Sequence, residues 1–462
     1  MAANASVTEQ LAEWIVGADV ADVPQAGVDR VRDRVLDSVG VMFAGMSVST
    51  GQLMRDWIKA QGGTADCTVV ASGFKTTATF ATLANTTAGH ALEFDDIATF
   101  GGHFANPLTA AALAVGEKVG ASGRDTVLAW LVGWDVIAQT SKPCATPQGN
   151  SLLNRGWFNQ GFQPVLGVAA LAAKLMGLDV LQTRMALGNA AGAMGGLLRN
   201  RGSDSKSFQA GNAAMHGVMA AELVALGFTA NADILDGELG VARLLGLESG
   251  DPERVLDGLG TWDMATNGST IRLHACCGAS HWGQDALMKI LRQRPTDPDE
   301  IEAIGIEIDE FLLPMVPYHD PQSGLEAKYS LEYDMATIAL DGRAGLHQYS
   351  DSAVQRPEAR ALMERVTIHP VNELRRPESR VVLTLKSGEQ LAESVNVSHG
   401  SPGDPLSDDE ILGKFHECAE ALLPEAQRKQ VIDLCRRLDS LDTVRELTDA
   451  IGAVPGPSEQ GR

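Results

Sequence analysis

Apolar residues recur at helical spacing along most of the first 270 residues. One stretch places an apolar residue every three or four positions, with arginines between them: Val28, Val31, Val35 and Val39. This pattern predicts an amphipathic helix with a polar outer face. Ser6 and Glu9 form a capping-box pattern, which marks the start of an earlier helix. The first part of the chain is therefore predicted to be a succession of α-helices.

The pattern changes after about residue 270. Apolar and polar residues alternate over 304–308 and 366–368, which is typical of half-buried strands. The stretch 380–397 contains two apolar runs around Lys-Ser-Gly-Glu, which predicts a β-hairpin. Ser407 and Glu410 form a second capping box, so a helix is expected to follow.

These patterns predict a mainly α fold, with a large all-helical domain that is discontinuous in sequence and a smaller α+β lid domain. The helical domain is assigned to residues 1–270 and 401–455, the lid to 271–400, and a flexible tail to 456–462. A chain of 462 residues is too long for one compact core, which favours this division. Between 161 and 227 the sequence is rich in Ala and Gly, which indicates a buried helical centre with closely packed backbones.

Composition excludes several classes of function. The net charge of -22 argues against a nucleic-acid partner, because phosphates would be repelled. No run of about 18 uncharged apolar residues occurs, and the N-terminus has no basic segment followed by an apolar core, so neither a membrane span nor a secretion signal is expected. Six cysteines without a C-x-x-C pair indicate a cytoplasmic protein without a disulfide framework or zinc site.

His103 is the first candidate for chemistry. It follows two glycines and precedes the Asn-Pro pair at 106–107, which predicts a helix start with Asn106 as the N-cap. Backbone amides at such a position favour an anion. Asp95 and Asp96 precede this loop and could instead cap a helix or join a buried hydrogen-bond network. The pair would also suit a magnesium-dependent enzyme acting on diphosphates, but no second acidic cluster supports that alternative.

Lys206 is the second candidate, since it follows a Gly-Ser-Asp-Ser loop and opens an apolar helix. The positive end of the helix dipole and burial would both lower the pKa of this lysine. A lysine that releases its proton near neutral pH can serve as a general base. The alternative is an ordinary solvated surface lysine.

A third group comes from two segments beyond residue 270. Arg272, Cys277 and His281 lie at a predicted helix start, and Lys328 and Tyr333 follow in a second stretch. Cys277 could be a thiolate stabilised by the helix start or a buried, inert thiol. His281 could contact a ligand or serve as an N-cap partner. From its position alone, Tyr333 is most simply a packing residue.

These segments together resemble the MmgE/PrpD family, and the resemblance covers nearly the whole chain, from about residue 5 to about residue 450. The ordered motifs that carry it are residues 90–96 with His103, Lys206 ahead of 209–214, 227–229, 275–281 and 330–333. The family includes 2-methylcitrate dehydratase, cis-aconitate decarboxylase and iminodisuccinate epimerase. The resemblance implies a helical domain with an α+β lid, a homodimer, and catalysis that needs no metal or organic cofactor.

By this resemblance, Glu93 occupies the place of an active-site aspartate, and His103, Lys206 and Tyr333 match active-site residues. The chain also departs from the family pattern. Glu93 is one methylene longer than the aspartate, Ile97 replaces a threonine, Phe158 replaces a histidine, and Cys277 stands where the decarboxylase has a histidine. Since these changes remove two imidazoles and a hydroxyl, a divergent member is expected.

The sequence thus predicts a lyase that removes a proton alpha to a carboxylate of a small anionic di- or tricarboxylic acid. Lys206, His103, Tyr333 and Glu93 are the predicted catalytic residues. Five more are predicted to bind substrate, with the two cations holding its carboxylates: Asp96, Arg272, Cys277, His281 and Lys328. Two alternatives stay open, an epimerase acting on a dicarboxylate and a non-catalytic relative that binds a polycarboxylate. Dehydration, epimerisation and decarboxylation are not distinguished by the sequence.

Overall fold

The computed structural model describes residues 5–146, 149–150, 152, 155–246, 251–372 and 378–453. It is 60% helical with 9% strand, which confirms a mainly α fold with a smaller α+β part. The predicted tail, 456–462, lies outside the described residues. Within the described part of the chain, no helix is both long and apolar enough to cross a bilayer.

The helices are α1 Val7–Gly17, α2 Gln25–Met46, α3 Ser49–Gln61, α4 Ala78–Gly89, α5 Ala105–Val119, α6 Gly123–Ser141, α7 Gln163–Met176, α8 Val180–Ala191, α9 Asp204–Ala225, α10 Val241–Gly246, α11 Asp263–Thr266, α12 His281–Gln293, α13 Gly324–Ala327, α14 Leu331–Asp341, α15 Asp351–Val354, α16 Pro357–Met363, α17 Asp408–Ala419, α18 Glu425–Arg436 and α19 Arg445–Gly452. The strands are β1 Cys67–Thr68, β2 Lys75–Thr76, β3 Ile97–Ala98, β4 Ala145–Thr146, β5 Gly149–Asn150, β6 Ser269–Thr270, β7 Ile301–Asp309, β8 Val366–Val371, β9 Ser379–Leu385 and β10 Gln390–Val395.

The chain groups into two compact units. The first comprises Met1–Ala91, Ala98–Ser269 and Ile411–Arg462, and the second comprises Leu92–Ile97 and Thr270–Glu410. The six residues Leu92–Ile97, which the sequence analysis assigned to the helical segment, group with the second unit.

The centre of the first unit is built from helices whose backbones approach closely. A Cβ added at Gly211 on α9 would overlap the hydroxyl of Thr87 and lie 2.8 Å from the carbonyl oxygen of Leu83, both on α4. A Cβ at Gly217, one and a half turns further, would lie 2.8 Å from the carbonyl oxygen of Val165 on α7. The prediction of a closely packed Ala/Gly-rich centre is therefore confirmed.

The second unit contains a four-stranded sheet in the order β10-β9-β7-β8. The central strand β7 pairs parallel with β8 and antiparallel with β9, and β9 and β10 form the predicted hairpin. Isoleucines 304, 306 and 308 are fully buried, because one face of β7 is covered. A Cβ added at Gly283 of α12 would collide with Ile306, so this helix rests on the sheet. The edge strand β8 contains Pro370.

Helix starts follow the sequence signals with one exception. Ser407 and Glu410 exchange reciprocal bonds, as the capping-box pattern predicts. Ser6 caps α1 by accepting from the Glu9 amide, while the Glu9 carboxylate pairs with Arg184. The prediction that Asn106 is an N-cap is wrong, because α5 already begins at Ala105. The Asn106 amide instead donates to the carbonyl oxygen of Thr86 at 2.9 Å, which fixes the end of α4 against α5.

Candidate functional site

Two of the predicted catalytic residues, His103 and Lys206, belong to one series of contacts in the first unit. The rings of His90 and His103 lie 5.3 Å apart, and His90 lies 6.1 Å from the ring of Phe158. The ammonium group of Lys206 lies 5.8 Å from the centroid of the same phenylalanine ring. We call these four residues the His–Lys cluster. The centre of this cluster is shielded from solvent, since His90, Phe158 and Lys206 are all more than nine-tenths buried.

His103 is positioned by a tight loop ahead of α5. Gly101 and Gly102 have φ angles of 85° and 106°, in the left-handed region that residues with a side chain rarely adopt. The amide of Gly101 donates to the carbonyl oxygen of Ala98, and the amide of Ala98 donates to the carbonyl oxygen of Gly102. The histidine that follows is half-buried, two residues before the helix begins. The predicted location of His103 at a helix start is confirmed.

Lys206 is the third residue of α9, which begins at Asp204 after the N-cap position Ser203. The lysine is 6% exposed, so it is buried rather than solvated. The neighbouring Ser207 hydroxyl donates to the backbone carbonyl of His90 at 3.1 Å and joins the start of α9 to the end of α4. His90 lies in a motif that carries the family resemblance, but sequence reasoning did not select it as a site residue.

The second unit holds a different group, centred on Arg272. This fully buried guanidinium donates through Nη1 to the Glu93 carbonyl at 2.8 Å and to the Cys276 carbonyl at 2.9 Å. The same nitrogen lies 3.2 Å from the Glu93 carboxylate, and Nη2 lies 3.7 Å from Asp95. Glu93 itself has φ of 53°, which is rare for a residue other than glycine. The arginine therefore clamps a strained backbone position whose side chain is a predicted catalytic group.

Lys328 contacts the same loop from another side. Its ammonium group donates to the carbonyl oxygen of Ala275 at 2.7 Å and lies 4.6 Å from the centroid of the Tyr349 ring. The backbone carbonyl of Lys328 accepts the amide of Cys277 at 2.8 Å. Both predicted substrate-binding cations, Arg272 and Lys328, thus contact carbonyls of the segment that carries Cys277. We call residues 272–277 the cation-held loop.

A polar network that sequence reasoning missed lies beside this loop. The Tyr349 hydroxyl donates to the Asp334 carboxylate at 2.5 Å and accepts from the Gln284 amide at 3.3 Å, while Gln284 also accepts from the Cys276 thiol at 3.3 Å. Burial raises the pKa of Asp334 to about 7 and raises the pKa values of Tyr349 and Cys276 well above their usual range. Asp334 follows the motif at 330–333, and a carboxylate among the apolar residues of α14 was the available signal.

The Tyr333 hydroxyl has a different hydrogen-bond partner from the Tyr349 hydroxyl. The Tyr333 hydroxyl donates to the backbone carbonyl of Gln348 and lies beside Arg356, whose guanidinium forms a bidentate pair with Asp341 at 3.0 and 2.7 Å. Burial raises the pKa of Tyr333 to about 12. The rings of Tyr333 and Tyr349 lie 5.7 Å apart, so the two phenols are neighbours with different polar partners.

The remaining predicted binding residues, Asp96 and His281, are also buried in the second unit. His281 is the first residue of α12, and Ser280 occupies the N-cap position. Of the two readings of Cys277, the structure shows a buried free thiol. Among the described residues, no group of three or more His, Cys, Asp or Glu side chains could hold a metal ion.

Comparison with known sequences identifies the class of protein. The profile of the MmgE/PrpD N-terminal domain matches residues 9–251, and that of the MmgE/PrpD C-terminal domain matches residues 274–438. The chain therefore belongs to the MmgE/PrpD family, as the motifs predicted.

Individual relatives match along almost their entire length. The chain is 28% identical over 478 residues to cis-aconitate decarboxylase of Mus musculus, covering 98% of this chain and 94% of the relative. It is 26% identical to cis-aconitate decarboxylase of Homo sapiens, covering 98% and 96%. A third relative, cis-aconitate decarboxylase of Aspergillus terreus, is 25% identical, with 97% and 96% covered.

Proposed function

We propose that this chain is a cofactor-independent lyase that removes a proton alpha to a carboxylate of a small di- or tricarboxylic acid. The observation that carries the proposal is the His–Lys cluster, where the Phe158 ring contacts both the buried ammonium group of Lys206, on the first turn of a helix, and the ring of His90. Family membership and relatives named cis-aconitate decarboxylase support a lyase acting on a tricarboxylic acid.

Lys206 is the proposed base. Loss of hydration and the positive end of α9 both disfavour its ammonium form. These two effects are the reason to propose Lys206 as the group that removes the proton. The half-buried His103 is the proposed partner that exchanges the proton with solvent.

Tyr333 and Glu93 are proposed in supporting roles in the second unit. With a pKa of about 12, Tyr333 stays protonated at neutral pH, so it can act as an acid or a hydrogen-bond donor but not as a base. The carboxylate of Glu93 lies within reach of the Arg272 guanidinium, which would keep it ionised and oriented.

For substrate binding, we propose Cys277 and His281 as direct contacts, with Asp96 as a further candidate. The positions of Arg272 and Lys328 favour a revised role for these two cations. Because each donates to carbonyls of the cation-held loop, they are proposed to fix the loop rather than to bind carboxylates directly.

The test is proton NMR of the purified protein in D₂O with a panel of di- and tricarboxylic acids that includes cis-aconitate. A new vinyl signal is expected, because loss of water from the beta carbon follows removal of the alpha proton, and it identifies a dehydratase. Loss of CO₂ would identify a decarboxylase, which breaks a carbon–carbon bond and does not remove the alpha proton. Deuterium entering the recovered acid or its epimer, without loss of water or CO₂, would instead identify an epimerase. Silence across the panel would contradict an enzymatic role on these acids and favour the polycarboxylate-binding relative.

The matched variants are Lys206→Ala and Lys59→Ala. Lys59 is exposed and lies 5.9 Å from the Phe74 ring, so it reproduces the cation–π contact without the burial. Lys206→Ala is expected to lower kcat by about 10²–10⁴-fold, the usual contribution of a general base, while Lys59→Ala leaves it unchanged. Equal activity of Lys206→Ala, His103→Ala and the unmodified protein would refute the proposal.

A further inference from the structure

A second histidine on the cation-held loop has a partner of its own. Nε2 of His274 lies 3.1 Å from the Oδ1 atom of Asp285, and both residues are at least 95% buried. The other carboxylate oxygen, Oδ2, accepts the backbone amide of His399 at 2.8 Å. Asp285 is therefore fixed through both oxygens, and His274 is fixed through Asp285.

This arrangement determines where the imidazole proton lies. A carboxylate accepts hydrogen bonds and cannot donate them, so Asp285 holds the proton on Nε2 of His274. Nδ1 of the neutral ring is then a lone-pair acceptor. Nδ1 is buried and makes no hydrogen bond to the described residues. Buried polar atoms are almost always paired, so such an atom calls for a functional explanation.

The next ring along the segment is His281. The rings of His274 and His281 lie 5.3 Å apart at an angle of 81°, an edge-to-face arrangement. His281 begins α12, and Asp285 stands four residues later, so the two share one face of the helix. His274 is thus packed between the carboxylate that orients it and the histidine proposed to contact substrate.

We infer that His274 is a positioning residue for His281, and that Asp285 fixes the His274 tautomer required for this task. The inference rests on the proposed function, because His281 was assigned there as a contact to a carboxylate-bearing substrate. The charged and titratable groups around the pair are Asp285, His281 and His399. The His399 ring in turn pairs with Glu410 at 2.9 Å and Asp404 at 3.2 Å.

Asp285→Asn is the decisive variant. The asparagine oxygen can still accept the His399 amide, while its NH₂ group donates to Nε2 of His274 and forces the proton onto Nδ1. With the substrate that the NMR panel identifies, kcat is expected to fall about 10- to 100-fold with KM changed less than about threefold, the usual cost of losing a group that acts on the site through another residue. Asp285→Glu, which keeps a carboxylate, should restore much of the rate.

Two NMR measurements test the inference without a substrate. Histidine NMR of the unmodified protein should show a low-field Nε2 proton on His274 that disappears in Asp285→Asn, together with a changed His281 resonance. A matched control is Glu307→Gln, which makes the same carboxylate-to-amide change at the exposed Arg380–Glu307 pair. That control should leave the His281 resonance and the turnover unchanged.

The inference is overturned if Asp285→Asn and His274→Phe both fold, as judged by melting temperature, and retain the His281 resonance and unmodified kinetics. It is equally overturned if Glu307→Gln lowers turnover as much as Asp285→Asn. A failure of the proposed function would be recognised separately, since Lys206→Ala would then leave turnover intact or no turnover would be found.

Discussion

The His–Lys cluster of the first unit and the cation-held loop of the second differ in the contacts described for them. In the cluster these are contacts between rings and between a cation and a ring, at 5.3 to 6.1 Å, in a unit whose helices pack backbone against backbone. In the loop, Arg272 and Lys328 make hydrogen bonds of 2.7 to 2.9 Å to backbone carbonyls. The comparison is therefore between close packing in the first unit and buried, charge-assisted hydrogen bonds in the second.

The difference predicts which perturbations each site tolerates. A site held by close packing should be sensitive to an added methyl group. A site held by buried charges should be sensitive to the loss of one partner, because the remaining group is left buried and uncompensated. Three substitutions test this contrast.

The largest effect is expected from Arg272→Met. Removing the guanidinium leaves the Glu93 carboxylate and the carbonyls of Glu93 and Cys276 without this donor, and breaking a buried ion pair typically costs about 3–5 kcal/mol. Urea denaturation at pH 7 measures the change in unfolding free energy. Arg380→Met, at the exposed Arg380–Glu307 pair, is the control and should cost less than about 1 kcal/mol. Equal small losses in both variants would remove the contrast.

A smaller effect is expected from Gly211→Ala in the first unit. The new methyl group would overlap Thr87 on α4, so overpacking should cost about 2–3 kcal/mol. Gly413→Ala is the matched control, since Gly413 is an exposed helical glycine with nothing within 4 Å of an added Cβ. Alanine there should stabilise by about 0.5–1 kcal/mol. Thermal melting of both variants checks the prediction, which fails if Gly211→Ala melts at or above the unmodified temperature.

The smallest effect is expected from Asp334→Asn, and it depends on pH. Burial raises the Asp334 pKa to about 7, so the folded state keeps a proton that the unfolded state releases near pH 4. This group therefore lowers stability progressively as pH rises from about 4 to about 7. Between pH 5 and pH 7, Asp334→Asn should gain about 1–2 kcal/mol relative to the unmodified protein in urea denaturation.

Asp135 in the first unit sharpens that test. Its pKa is also raised to about 7 by burial, although its carboxylate accepts the backbone amide of Asp263 rather than a phenol. Asp135→Asn should show the same sign of pH dependence. If only Asp135→Asn responds, the proposed pH sensitivity of the second unit is wrong.

Local patterns predicted the parts of the molecule that are determined locally. The helix cap at Ser6, the capping box at Ser407, the hairpin of β9 and β10, and the placement of Lys206 at a helix start all follow from residues within one turn or one strand pair. The prediction for Asn106 failed because its side chain does not cap its own helix. It donates instead to the backbone carbonyl of Thr86, 20 residues earlier in the sequence.

The contacts of the second unit could not be predicted in this way. Arg272 and Glu93 are 179 residues apart, and no periodicity relates them. In a family whose members act on polycarboxylates, buried cations suggest binding sites for substrate carboxylates. The fold shows that Arg272 and Lys328 donate hydrogen bonds to backbone carbonyls. Tyr349 and Asp334 were missed for the same reason, since these two bonded side chains are 15 residues apart in the sequence.

The order of the four-stranded sheet has a consequence for behaviour at high concentration. Strand β8 lies at one edge, where unpaired backbone groups could recruit a strand from another molecule. Pro370 within β8 has no amide proton and cannot contribute a donor to such a cross-molecular ladder. At the other edge, β10 carries the half-buried carboxylate of Glu393, which accepts a hydrogen bond from the Gln293 side-chain amide at 2.7 Å. The β8 edge thus resists aggregation through strand addition.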